Sequence, residues 1–187
     1  MRGRMRVPSV VGGLLLLGAS LAPALPGQSG QIAYEAFTLP NGLRVIYSED
    51  HSTPIVSVDV WYNAGSRNER AGRSGFAHLF EHMMFEGSAH VKKGEQFQLI
   101  SRAGGSENGS TAEDRTNYYE TVPSNRLNLA LWLEADRMRS LAITEENFHN
   151  QRETVKEERR LRVDNQPYSP AFIDGMTWPF DPMTVCA

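Results

Sequence analysis

The sequence predicts an α+β fold, a largely antiparallel sheet with helices packed against one face. Three observations lead there. Apolar and polar residues alternate with period two near the N-terminus and again in mid-chain. Helical spacing with start and stop signals fills the segments between and after them. Their order along the chain is β-β-β-α-α-β-β-α-α.

The first two dozen residues stand outside this pattern. Arg2, Arg4 and Arg6 precede an apolar run from Val10 to Leu21, and Ala22-Pro23-Ala24 follows as a small-x-small cleavage pattern. Residues 1–24 are therefore expected to be a secretory signal peptide, which places the mature chain outside the cytoplasm, secreted or periplasmic. The run falls short of the about 20 residues a membrane helix needs. A retained N-terminal anchor is the alternative, and without a Leu-x-x-Cys pattern no lipid attachment is expected. Residues 25–33 form a linker, and residues 34–187 the domain proper.

"YEAFTLPNGLRVIYSE" predicts two strands joined at Pro40-Asn41-Gly42, because Asn-Gly between apolar alternations supplies the positive φ of a tight turn. "PIVSVDVWYNAG" is a half-buried strand: Val56, Val58, Val60 and Tyr62 share one face, and Ser57, Asp59, Trp61 and Asn63 the other. Gly65 to Gly72 is a polar loop. Ser74 is the expected cap of a helix from about Phe76 to Phe85 that stops near Gly87. A second helix is expected from about Lys93 to Arg102, closed by Gly104-Gly105. Residues 106–122 suggest two strands with a polar turn. Pro123-Ser124 opens a long helix to about Ser140, with Leu127, Leu131, Ala135 and Met138 at helical spacing. The last helix runs from Glu145 to about Val163. "NQPYSPAFIDGMTWPFDPMTVCA" carries Pro179 and Pro182 and no closing element, which suggests truncation.

Composition excludes several classes of function. The 187 residues carry 19 Lys and Arg against 22 Asp and Glu, a net charge of -3, with no basic-aromatic interleaving, so nucleic acid is not an expected partner. No second apolar stretch suggests a membrane span after signal cleavage. Cys186 is the single cysteine, so the fold has no internal disulfide and relies on packing and a metal.

"GFAHLFEHMMFEG" carries the chemistry. On a helix His78 and His82, at i and i+4, project from one face and can offer two nitrogens to one ion at about 2 Å. Glu81 lies on the same side, where it can take a proton from a water without ligating the metal. His-x-x-Glu-His is a zinc-peptidase motif, the reverse of the commoner order. Such pairs also occur on solvated helices, but Phe76, Ala77, Leu79, Phe80, Met83, Met84 and Phe85 make this helix apolar nearly all round and hence buried. A self-satisfied polar core network is the other alternative. A catalytic zinc needs a third ligand. At 100° per residue, Phe148 and Val155 define the inward direction of the last helix; Glu158 lies roughly 60° from Val155 and Glu157 roughly 160°. Glu158 can face the core, while Glu153, Lys156, Arg159 and Arg160 suit a solvated face.

"TLPNGLRVIY", "HLFEH" and "QRETVKEERRLRVDNQPY", in this order and spacing, resemble the N-terminal half of the insulinase-like, or pitrilysin, zinc peptidases, which include the mitochondrial processing peptidase. The resemblance covers nearly all of residues 34–180. It implies a zinc endopeptidase in which His78, His82 and Glu158 ligate Zn2+ and Glu81 is the general base; Glu158 stands 76 residues after His82, inside the family's interval. It implies that "ENGST" is a substrate-binding edge strand. There Asn108 positions a peptide, and the backbone of Gly109 and Ser110 pairs with it by strand addition; a simple turn is the alternative for Asn108-Gly109. Gln151 stands where many relatives have a second glutamate, and can hold a ligand or water by hydrogen bonding. His51, His90 and His149 fall outside the pattern, with surface or packing roles expected. The resemblance further implies a peptide or unfolded polypeptide as substrate and a second homologous domain or partner chain to complete the chamber. Members without zinc chemistry act as scaffold or partner subunits, and a metal-binding protein without hydrolysis is a third reading.

Overall fold

A computed structural model describes residues 32–70, 72–169 and 171. The expected signal peptide, most of the linker, the terminal prolines and Cys186 lie outside the described residues. The chain divides into two compact units at Asp50 and His51.

In the first unit, β1 (Glu35–Thr38) and β2 (Arg44–Tyr47) form an antiparallel hairpin in which Glu35 pairs with Tyr47 and Thr38 with Arg44. The turn is closed by Leu39 N–H to Leu43 O (2.8 Å) and Gly42 N–H to Leu39 O (2.9 Å), with Asn41 Oδ1 accepting from Leu43 N–H (3.1 Å). Gly42 alone among these residues has positive φ, at 89°. The hairpin is a two-stranded sheet of its own.

The second unit is built on three antiparallel strands in the order β3 (Ile55–Tyr62), β5 (Thr116–Pro123), β4 (Ser106–Thr111). Val60 pairs with Tyr118, Val58 with Glu120 and Val56 with Val122, so these side chains share one face of the sheet. Helices α1 (Phe76–Met83), α2 (Glu95–Arg102) and α3 (Leu127–Ser140) pack against the strands, and α4 (Glu145–Arg159) packs against α1. Val91, Ile100, Val122, Ala130 and Leu133 form the core, with Val56, Val58, Leu99 and Leu129 packed on it. Burying side chains such as Ile100 and Leu133 stabilises the fold by about 1.5–3 kcal/mol each.

Three local expectations are corrected. Ser74 does not cap α1: Gly75 takes the cap position, and the Glu69 carboxylate accepts from Gly75 N–H (2.8 Å) and Ala77 N–H (2.6 Å). A carboxylate from the preceding loop reaches two of the orphan N–H groups that a serine would have served singly. Helix α1 is not buried all round either, since Phe76 and Phe80 are exposed while Leu79 and Met83 are buried. In α3 the face spelled by Leu131, Ala135 and Met138 is exposed; Ala130, Leu133, Glu134, Asp136 and Arg137 are the buried positions. Arg137 forks onto Glu134, with Nε donating to Oε2 at 2.9 Å and Nη2 to Oε1, and its guanidinium lies 4.6 Å from the Tyr118 ring centroid. Because the two charges satisfy each other, polar residues occupy the core, and hydrophobicity points to the wrong side of the helix.

Candidate metal centre

Helix α1 supplies two imidazoles because residues four apart stack on one face, and α4 lies across it. Thr144 caps α4 by accepting from Asn147 N–H (3.1 Å), which sets the phase of the helix and turns Gln151, Val155 and Glu158 toward α1. A five-residue π-helical turn, Arg160–Asp164, continues it. These elements and β4 enclose a cleft of about 680 Å³.

His78, His82 and Glu158 meet in that cleft. Nε2 of His82 lies 3.2 Å from Nε2 of His78 and 3.2 Å from Oε2 of Glu158, and the remaining edge, His78 Nε2 to Glu158 Oε2, is 3.6 Å. All three are half-buried, and they are a group able to hold a metal ion among the described residues. The triangle itself tests the fit. Tetrahedral bonds of about 2.0–2.1 Å place ligand atoms roughly 3.3–3.4 Å apart, and the three edges of 3.2, 3.2 and 3.6 Å bracket that spacing. Two imidazoles, a carboxylate and one open side are also a donor set suited to zinc.

The surroundings orient each donor. His82 Nδ1 lies 3.2 Å from Gln151 Oε1, and Gln151 Nε2 donates to Glu86 Oε1 at 2.7 Å. Arg162, from the π-helical turn, holds Glu158 Oε1 at 2.6 Å, leaving Oε2 for the histidines. Thr111 Oγ donates to Glu81 Oε2, so that carboxylate is tied to β4 and points into the cleft beside the ligand triangle.

Among the described residues strand β4 pairs only with β5, and its other edge, unpaired there, borders the cleft. Asn108 and Gly109 sit inside this strand, not in a turn. Asn108 Oδ1 accepts from Gly109 N–H at 2.9 Å. Ser110 Oγ donates to Asn117 Oδ1 (2.6 Å) and accepts from Arg115 (2.8 Å), so its hydroxyl is engaged within the sheet. Gly109 is needed for close approach. A Cβ there would stand 3.2 Å from Tyr118 and 3.3 Å from Phe85, whose rings pack edge to face at 5.8 Å beneath the strand.

Thr111, Glu86, Lys93 and Arg162 are site residues that sequence reasoning missed. Signals were present: Thr111 follows Gly109 at the period of a strand face, and Glu86 and Arg162 lie four residues beyond His82 and Glu158. Outside the site, His90 Nδ1 lies 2.7 Å from Asp136 Oδ1 and His149 Nε2 3.5 Å from Glu145, both on the surface.

A donor triangle shared by two helices, with a carboxylate beside it and a strand edge along the cleft, is an arrangement able to hold one metal ion next to an acid–base group. Comparison with known proteins gives the family. The family described as Insulinase (Peptidase family M16) matches residues 44–174, and the chain belongs to it. It is 41% identical over 155 residues to the zinc protease PqqE of Helicobacter pylori, an alignment covering 82% of this chain and 34% of that protein. It is 35% identical over 121 residues to a probable mitochondrial-processing peptidase subunit beta of Arabidopsis thaliana, covering 65% of this chain and 23% of that protein. The crystal structure of a protease from Helicobacter pylori is similar with TM-score 0.75 at 38% identity, covering 78% of this chain and 35% of the other. The chain thus spans about a third or less of the length of these relatives. No helix of the described residues is long and apolar enough to cross a membrane.

Proposed function

We propose that residues 34–187 are the zinc-binding N-terminal domain of an endopeptidase, held by His78, His82 and Glu158 and using Glu81 as general base. The observation that carries this reading is the triangle of donor atoms with edges of 3.2–3.6 Å. Zinc, when bound, supplies Lewis-acid polarisation of a carbonyl and lowers the pKa of water toward about 7.

The chain's own groups do the rest. An extended peptide lies along the open edge of β4, hydrogen-bonded to the backbone of Gly109 and Ser110, with Asn108 at its flank. Glu81, held at Oε2 by Thr111, accepts the proton of the attacking water while the water oxygen bonds to the scissile carbon. The same carboxyl then returns the proton to the departing amine as the C–N bond breaks, and Glu81 ends unchanged. Gln151 and Arg162 hold His82 and Glu158 in place through both steps.

The surrounding organisation belongs to the same proposal. Residues 1–24 are a signal peptide and residues 25–33 a linker, giving a secreted or periplasmic protein. A second homologous domain or partner chain completes the chamber around the peptide or unfolded polypeptide. A second reading is a non-catalytic scaffold or partner subunit of a two-chain peptidase assembly, since the relatives include a probable mitochondrial-processing peptidase subunit.

Glu81→Gln separates the two. In a peptidase it retains zinc at one ion per chain and abolishes cleavage of a fluorogenic peptide, whereas a scaffold is indifferent to it. Loss of zinc stoichiometry in His78→Ala, His82→Ala and Glu158→Gln is expected in both; unchanged zinc binding in these variants refutes the ligand set.

A further inference from the structure

The hydrogen bonds behind His82 run further than a single amide. Gln151 faces His82 with Oε1 and Glu86 with Nε2, and Glu86 Oε2 is in turn 2.5 Å from Lys93 Nζ. Glu86 is buried, with 7% of its side chain exposed, so this pairing is not a passing surface contact. A glutamine amide can sit either way round in a site of this shape, since its oxygen and nitrogen differ little in size. Here one orientation is selected. A carboxylate only accepts, and with Lys93 on one oxygen, Glu86 presents the other to a donor. Turning the amide over would set Gln151 Oε1 against Glu86 Oε1 at 2.7 Å, oxygen to oxygen.

The selected orientation has a consequence at the imidazole. Gln151 Oε1 only accepts, so the atom opposite it, His82 Nδ1, must carry a hydrogen. In neutral His82 that leaves Nε2 as the bare nitrogen, and Nε2 is the atom 3.2 Å from both His78 Nε2 and Glu158 Oε2. A lone pair facing a carboxylate oxygen at that distance calls for a cation between them.

We propose that Glu86 and Lys93 are positioning residues for His82: they orient the Gln151 amide, and the amide fixes the imidazole in the tautomer that keeps Nε2 free to ligate. This rests on the reading of His82 as a ligand, and gives the chain a reason to carry a neutral Gln151 beside an acidic Glu86. The hydrogen-bond direction is supplied by a buried carboxylate one step further from the metal.

The test is made on the full chain, metal-free, at a pH high enough for both imidazoles to be neutral. Long-range 1H–15N correlation spectra report which ring nitrogen of His82 is protonated. The wild-type chain is expected to show a protonated Nδ1 and a bare Nε2. In Glu86→Gln the new amide keeps its oxygen on Lys93 and turns its nitrogen to Gln151, so the Gln151 amide turns over and the spectrum shifts toward the Nε2-protonated tautomer. Zinc affinity should fall about tenfold, the lower end for loss of an outer partner of a metal ligand.

The double variant Glu86→Gln with Gln151→Glu exchanges acid and amide. Its Glu at 151 accepts from His82 and its Gln at 86 donates to that carboxylate, so the Nδ1-protonated form and most of the zinc affinity should return. Gln151→Leu, which leaves Glu86 and Lys93 paired, should lose both. An unchanged Nδ1-protonated tautomer in Glu86→Gln and Gln151→Leu alike overturns the proposal, as does a double variant no better than the single one. Zinc binding that survives loss of His82 itself would sink the ligand reading, and the spectra of the metal-free chain distinguish the two failures.

Discussion

Glu120 sits at the centre of the second unit, on the middle strand, with 1% of its surface exposed. Its neighbours are Glu134 and Arg137 from α3 and Glu107 from β4. Arg137 is already forked onto Glu134, and among the described residues no donor is aimed at either Glu120 oxygen. A carboxyl in that position must supply its own hydrogen to meet Glu134. Burial first, and the charge of Glu134 second, push its pKa from 4.5 up to about 9.

The sign of the effect follows from linkage. At pH below 4.5 the group is protonated in both the folded and the unfolded chain and costs nothing. Above 4.5 the unfolded chain ionises while the folded one holds its proton, so stability falls by about 1.4 kcal/mol per pH unit until about 9, where the folded group also ionises. At neutral pH, about two and a half units above 4.5, the penalty is about 3 kcal/mol. Glu120→Gln keeps the shape and removes the titration. Urea unfolding of the two chains at several pH values between about 5 and 8 should show the variant nearly equal at the acid end and progressively more stable toward the alkaline end. A constant offset, or a variant that is less stable at neutral pH, refutes the assignment of a protonated Glu120.

The site yields further expectations. Zinc at about a hundred times its Kd should stabilise the chain by about 2.7 kcal/mol, a chelator should reverse this, and His82→Ala should abolish the response, all read from thermal unfolding. Thr111→Val removes the hydroxyl that holds Glu81 Oε2 and should lower the rate of peptide cleavage about tenfold with zinc content unchanged, since a hydrogen bond to a charged group contributes about 1.5–3 kcal/mol. Gly109→Val forces side-chain atoms against Tyr118 and Phe85 and should cost about 1–3 kcal/mol by urea unfolding; an unaltered midpoint would mean that the strand can lift away from those rings.

Period-two alternation identified β3 because one face of that strand is apolar, and the helix carrying His78 and His82 was bracketed by a start signal at Ser74, whose place as cap Gly75 takes, and a stop at Gly87. The same reasoning misassigned α3, where the buried face holds Glu134 and Arg137 and the exposed one Leu131 and Met138. Hydrophobicity is a property of single residues, whereas the burial of an ion pair is a property of two that must first be known to touch. The cap of α1 was missed for a related reason: Glu69 lies six residues before Gly75, beyond the reach of any local capping pattern.

Glu158 was legible because helical phase is local arithmetic, and Phe148 and Val155 marked the inward side. What phase could not supply is the direction of its carboxylate. Each carboxylate around the cleft is met by a specific donor from another turn or element: Glu158 by Arg162, Glu86 by Lys93 and Gln151, Glu81 by Thr111. Glu120, deeper in the unit, has none among the described residues, and burial raises its pKa. A donor held at one oxygen leaves the other oxygen free to act, which for Glu158 turns Oε2 toward two imidazoles and, in the proposed mechanism, leaves Glu81 Oε1 to receive a proton. The pairings that decide this lie between segments distant in sequence, so they emerge only once α1, α4 and the open edge of β4 have been brought to one cleft.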